Sequence, residues 1–208
     1  MVHMVDGALS GPVVAGATAL AAGGVALGLK RLDVERIPQV AVLGAVFFVS
    51  SLVHVPVGPA SAHLMLAGLM GVVLGWVAFP AVLIGLLLQA VLFGFGGVTV
   101  LGVNTLAIAL PAIVCGMLCG PGIRHGTATA AAVWGFAAGA LSVALIALLV
   151  GTALALSGGE FVLAAKLLFA THVPVMVVEG LLTAAAVVLV RKVKPELFHP
   201  PIGGVFRA

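Results

Sequence analysis

Charge is what this chain has least of. Asp, Glu, Lys and Arg together make up 7% of its 208 residues, where a soluble domain carries roughly a quarter. So few charges cannot cover a water-facing surface, and a soluble globular fold is excluded. Alternation of apolar and polar positions over about ten residues is also missing, which excludes a membrane β-barrel. No basic stretch is interleaved with aromatic residues, so the net charge of +3 does not indicate a nucleic-acid partner. Cysteine occurs twice, at Cys115 and Cys119. Their spacing of four puts them on one face of an apolar helix, where burial rather than a disulfide or a metal site is expected. There is no G-x-x-x-x-G-K-[ST] phosphate loop, so the chain is not expected to hydrolyse ATP itself. Nor is there an internal repeat of the kind that builds many secondary transporters.

What is present is apolar surface. Apolar residues account for 63% of the chain and the mean hydropathy is +1.36. In a bilayer, long runs of this kind must close their own backbone hydrogen bonds and therefore become helices. The fold class is all-α, a polytopic membrane protein forming one transmembrane domain over residues 1–208. Seven windows are marked, at about 8–29, 39–55, 62–77, 80–95, 103–119, 127–156 and 161–190. Two exceed the roughly 20 residues that a span needs, and are expected to tilt or to extend beyond the apolar layer. Windows three and four are separated only by "WVAFP", where Pro80 suits the first turn of a new helix. No basic residue precedes the first window, which is also long for a signal peptide, so that segment is expected to be retained.

Lys and Arg set the orientation. Lys30, Arg31 and Arg36 follow window one, Arg124 follows window five, and Arg191, Lys192 and Lys194 follow window seven. With seven spans these all fall on one side, and the opposite connections "VGPAS", "GFGGVT" and "LSGGE" carry no Lys or Arg. The positive-inside rule then places the amino terminus outside and the carboxyl terminus in the cytoplasm. Small residues recur at Gly16, Gly23, Gly24 and Gly28, at Gly135 and Gly139, and at Ala41 and Ala45. They permit close helix approach, read first as packing within the chain. For Ala41 and Ala45 the second reading is a face on which another membrane subunit docks.

Polar groups at membrane depth are costly and are functional candidates by default. His3 and Asp6 precede window one, His54 ends window two, His63 opens window three and Asn104 opens window five. His172 and Glu179 lie in window seven. Most converge on the outer side. Several imidazoles near an amino terminus suit a divalent transition metal, and a tetragonal nitrogen set suits Ni(II) or Cu(II). No carboxylate cage suggests calcium or magnesium. The sequence begins "MVHMVDG". With His3 third in the chain, amine, two amides and ring fill four planar positions. If Met1 is removed, as is common before a small residue, Val2 supplies the amine and His3 becomes second. Three planar donors then remain, and His63 is available as the fourth. Asp6 either caps the first helix, the favoured reading, or orients His3. His54 is read as a histidine at a helix end at the interface, with support of the metal site as the alternative. Asn104 is a candidate for supporting or positioning the site. His172 and Glu179, seven apart, share a helix face and are expected to form a buried hydrogen-bonded pair, with a metal pathway or coupling contact as the alternative.

Beyond single residues, "MVHMVDG" resembles the Met-His-x-x-x-Gly start of the CbiM/NikM family with one residue added. "GPASAHLMLAGLMGVVLGW" resembles that family's second histidine motif. "LLLQAVLFGFGGVTVLGVNTLAIALP" and "THVPVMVVEGLLT" resemble two further family segments. The resemblance covers nearly the whole chain. It implies the substrate-binding component of an energy-coupling-factor importer of cobalt or nickel in a prokaryotic cytoplasmic membrane. It further implies a square-planar site made by the terminal amine (Met1 or Val2), the amide and ring of His3, and the ring of His63. The partners it implies are a transmembrane coupling subunit, cytoplasmic ATPase subunits and a small accessory membrane subunit. Two other classes stand beside it. A stand-alone channel or secondary carrier predicts flux without ATP. A membrane metalloenzyme ranks last, because no H-E-x-x-H motif or companion carboxylate accompanies the histidines.

Overall fold

The computed structural model describes residues 4–57, 60–158 and 162–198, with backbone alone at 54–57, 60–62, 162 and 164–166. Within these the chain is helical apart from one short hairpin. The elements are α1 (Gly11–Lys30), α2 (Ile37–Ser50), β1 (His54–Val57), β2 (Ala60–His63), α3 (Ala67–Leu74), α4 (Ala78–Phe93), α5 (Leu101–His125), α6 (Ala128–Ser157) and α7 (Val162–Val193). Single 3-10 turns cover Val34–Arg36, Gly75–Val77 and Pro195–Phe198.

By length and apolar content five helical stretches match a membrane span: Gly11–Lys30, Leu101–His125, Ala128–Ser157, Leu167–Val193, and Ala67–Phe93, which is α3 and α4 taken together across the turn between them. The chain is thus a multi-pass membrane protein. Each predicted window contains a helix, but two windows need correction. The second was expected to run to residue 55, yet α2 stops at Ser50 and is 14 residues long. That is about 21 Å, short of the roughly 30 Å of a hydrocarbon core. The third was expected to begin at 62, yet 60–63 is strand and α3 has only eight residues. The cause is "HVPVGPASAH", where Pro56 and Pro59 forbid a helix interior and valines favour extended backbone. β1 and β2 pair antiparallel with His54 opposite His63 and Val57 opposite Ala60.

α3 is the centre of the molecule. All of its residues are buried. It begins level with the middle of its neighbours: Gly68 abuts Ala138 and Gly139 of α6, and Gly71 abuts Ala112 of α5. It ends at the basic end of the molecule, where the Val73 carbonyl accepts from the Arg36 guanidinium at 3.1 Å. There Arg31 lies 5.3 Å over the Trp76 ring. Burial lowers the Arg36 pKa, with Asp33 opposing the shift. The Gly75–Val77 turn, with Gly75 at φ 56°, reverses the chain so that α4 runs back. Pro80 sits in the first turn of α4, as its position in "WVAFP" predicts.

The small residues divide by contact. Gly24 faces the Phe79 ring, Gly28 faces Trp76 and Pro80, Gly135 faces Ala184 and Val187, and Gly139 faces the Glu179 carbonyl. Gly16 and Gly23 face open space. Close approach through glycine is therefore intramolecular packing at four of the predicted positions. Ala41 and Ala45 are exposed and line a groove of about 420 Å³ between α2, α4 and the end of α1. Cys115 and Cys119 are free thiols, both buried.

Gly71 and Gly16 make a controlled pair. A Cβ at Gly71 meets backbone atoms of Ala112, which cannot rotate away, while one at Gly16 meets nothing within 4 Å. Gly71→Ala is expected to lower stability by about 1–3 kcal/mol or more. Gly16→Ala is expected to be neutral or slightly stabilising, because alanine is the better helix former. Thermal unfolding of the detergent-purified chains measures both, and equal midpoints would sink this account of the α3–α5 contact.

Candidate functional site

Two segments lie away from the basic end of the molecule. The first is the amino-terminal segment. The Met4 N–H donates to Asn104 Oδ1 at 2.9 Å, and Asn104 Nδ2 donates back to the Met4 carbonyl at 3.1 Å. Met4 is 5% exposed and Asn104 3%. A primary amide is the side chain that can satisfy both the N–H and the C=O of one buried residue. Asn104 is itself fixed in the first turn of α5, where its N–H donates to the Val100 carbonyl at 2.9 Å. Two residues on, Asp6 Oδ1 accepts from the Thr99 N–H at 3.2 Å and from the Thr99 hydroxyl. Gly97 lies against the Asp6 carboxylate and has no room for a Cβ.

These contacts correct one expectation. Asp6 does not cap the first helix: the N-cap of α1 is Ser10, with no side-chain cap bond. The carboxylate instead ties the amino-terminal segment to the loop before α5. The Ser10 N–H joins this end to the end of α6, donating to Ser157 Oγ at 3.1 Å.

The second segment carries His63. It closes β2 and is 1% exposed. The next three residues cross from hairpin to helix and are held at each step. The Leu64 N–H donates to the Val53 carbonyl at 3.2 Å, and its carbonyl lies 3.4 Å from Ser50 Oγ, whose hydroxyl also has the Phe47 carbonyl as an acceptor at 2.9 Å. The Met65 N–H donates to Glu179 Oε1. The Leu66 N–H reaches both Glu179 oxygens, at 3.1 and 2.9 Å. Leu66 is the N-cap of α3 and lies in the left-handed region, at φ 49° and ψ 30°.

Here the expected His172–Glu179 pair is corrected. Glu179 is fully buried and turns to Met65 and Leu66. His172 Nδ1 lies 2.6 Å from the Leu168 carbonyl, one turn earlier in α7. Seven residues of helix rise about 10.5 Å, so the two side chains share a face without meeting. Because a carbonyl only accepts, Nδ1 is the protonated nitrogen. Nε2 is buried without a hydrogen-bond partner.

His54 is also corrected. It is not at a helix end but in β1, as the register partner of His63; only its backbone is described. Met1, Val2 and His3, the other predicted donors, lie outside the described residues. Among the described residues no group of three or more His, Cys, Asp or Glu is gathered for a metal. Sequence reasoning passed over Gln89, which is fully buried on α4 with neither amide atom hydrogen-bonded. A lone polar side chain in the run 78–93 was the available signal. It also passed over Thr99, which no sequence pattern singles out.

Comparison with known proteins gives the family of the chain. The family described as cobalt uptake substrate-specific transmembrane region matches residues 3–197. A putative metal transport protein of Haemophilus influenzae is 38% identical over 199 residues, covering 95% of this chain and 97% of that protein. The cobalt transport protein CbiM of Geobacter sulfurreducens is 31% identical, covering 86% of this chain and 56% of that one. A crystal structure of a transition metal transporter shares the fold with a TM-score of 0.70 at 23% identity, covering 92% of this chain and 93% of that one. The chain belongs to the CbiM family of substrate-specific transmembrane components of cobalt uptake.

Proposed function

We propose that this chain is the substrate-capturing component of an ATP-driven importer of Ni(II) or Co(II) of the energy-coupling-factor type. It lies in a prokaryotic cytoplasmic membrane with its amino terminus outside and its carboxyl terminus inside. The observation that carries the reading is the anchoring of the amino-terminal segment at Met4. A chain end normally frays in solvent. Here Met4 is buried and bonded through both of its peptide groups to Asn104, away from the basic end of the molecule, as is buried His63. Family membership and relatives named for cobalt, nickel and metal transport give the same substrate class.

The terminal amine, from Met1 or from Val2 after removal of Met1, the amide and ring of His3, and the ring of His63 are the donors in this reading. Nitrogen donors in a plane select nickel and cobalt by geometry rather than raw affinity. The ligands must be deprotonated to bind, so retention falls as the medium is acidified. The Lys and Arg residues at the opposite end support the orientation. The chain carries no motif for ATP, so the energy is assigned to partners: a transmembrane coupling subunit, cytoplasmic ATPases and a small accessory membrane subunit. The open groove beside Ala41 and Ala45 is the face proposed to meet the coupling subunit.

Two measurements test this reading. Purified chain incubated with Ni(II) or Co(II) and freed of unbound ion is expected to retain about one ion per chain. His63→Ala is expected to lose it, and intact mass identifies the residue that supplies the amine. Retention undiminished in His63→Ala would remove that histidine from the site. The second measurement concerns docking. With Cys115 and Cys119 replaced by alanine, a cysteine at position 4 is expected to react slowly with a water-soluble thiol reagent. Asn104→Ala leaves the N–H and the C=O of one buried residue unsatisfied, at about 1–3 kcal/mol, and is expected to speed that labelling tenfold or more. An unchanged rate would mean that Asn104 does not hold the terminus.

A further inference from the structure

We infer that Glu179 is a positioning residue for His63: through the peptide N–H groups of Met65 and Leu66, α7 sets where the His63 backbone stands. The inference rests on His63 being a donor to the transported ion, as proposed above. Three residues separate His63 from α3, and their N–H groups are all engaged: Leu64 by Val53, Met65 and Leu66 by the one carboxylate of Glu179. Both oxygens of Glu179 face this segment, so the carboxylate is occupied by backbone and is not itself a metal donor. Leu66 lies at φ 49°, a conformation that a branched residue rarely holds unless its surroundings impose it. The group that holds it there is Glu179.

The origin of the cap separates positioning from simple helix stability. A helix start is ordinarily satisfied by its own N-cap residue, a Ser, Thr, Asp or Asn whose side chain reaches back to the first turn. The N-cap of α3 is a leucine, with no side-chain cap bond. The N–H groups of Met65 and Leu66, just before the helix, instead find their acceptor on another helix, 113 residues along the chain from Leu66. Glu179 is also rooted. Its backbone carbonyl lies against Gly139 of α6 with no space for a Cβ, and Gly139 and Ala138 lie against Gly68 in the first turn of α3. Any shift of α7 against α3 is therefore carried to the residues that follow His63. A planar metal site tolerates errors of about half an ångström in its donors, so such a shift reaches the bound ion.

The test uses the full chain in detergent with Ni(II) alone as probe. It reads the rate of Ni(II) loss to a chelator, the ligand-field absorption of the bound ion and the thermal midpoint. Glu179→Gln keeps one acceptor oxygen but turns an amide NH2 towards a peptide N–H. It is expected to speed Ni(II) loss tenfold or more and to shift the absorption band, while labelling of a cysteine at position 4 stays as in the parent chain. Adding Leu66→Gly to Glu179→Gln is expected to recover part of the loss, because glycine takes φ > 0 without outside help. If Glu179→Gln does not fold, Glu179→Asp, which draws the carboxylate back by about 1.5 Å, is read on the same scale. A variant with a lowered thermal midpoint but the parent's band and release rate would overturn the inference and leave the metal reading intact. A parent chain that retains neither Ni(II) nor Co(II) would remove the metal reading and this inference with it.

Discussion

The start of α3 lies inside the bundle, and the N–H groups of Met65 and Leu66, which lead into it, have no water to turn to. Backbone groups left unpaired at membrane depth cost several kcal/mol each, so a helix that begins there needs an acceptor brought to it. Glu179 is that acceptor. Much of the architecture follows. α7 must place position 179 level with Leu66, which requires α6 to be thin at Gly139. α6 must in turn admit α3 at Gly68, and α5 must admit it at Gly71 and Gly116. The glycines at these contacts are the spaces into which one backbone is pressed so that a carboxylate and two peptide groups can meet. Helices in lipid gain little from hydrophobic association and rely on such close backbone packing.

Starting a helix midway frees the residues before it. A continuous span would have carried His63 on a helix face among lipid or packing contacts. Here the chain reaches His63 through a hairpin whose strands satisfy each other, so irregular backbone is tolerated where it is enclosed by protein. His63 is consequently a backbone-fixed residue at the end of a strand, buried, with α2, the hairpin and α7 each holding the next residues. The amino-terminal segment is held on a separate support, the first turn of α5 and the loop before it.

Hydropathy made the helices legible, since length and apolar content are what a bilayer demands. It did not show the hairpin, because Val53, Val55 and Val57 continue the apolar runs on both sides, and a window average ignores Pro56. Glycine content signalled close packing but not which glycines pack: Gly23 and Gly24 are neighbours in sequence, one facing open space and the other the Phe79 ring. At the site, Asn104 and His63 were legible as polar residues in apolar surroundings. Their partners were not. The seven-residue spacing of His172 and Glu179 reports a shared face, and a shared face says nothing of what lies opposite. Glu179 bonds to peptide groups, which leave no mark in a sequence. Gln89 was visible as a polar exception in its run, yet neither its spacing nor its type suggested a role.

The two supports differ in strength, and the difference bears on how a captured ion would leave. The segment through Met4 is held by the burial of one side chain, two neutral amide bonds, the Asp6–Thr99 contacts and the Ser10–Ser157 bond. Net hydrogen-bond contributions are about 0.5–1.5 kcal/mol each. The segment through His63 is continuous with α3, every residue of which is buried and whose glycines touch the backbones of α5 and α6. Moving it means repacking the centre of the molecule, whereas moving the terminus means breaking a few bonds at the edge. In the proposed carrier, the terminus is therefore the donor that leaves first. His63, held through Glu179, stays with the bundle until α7 moves, so a carrier built this way releases its ion in two steps.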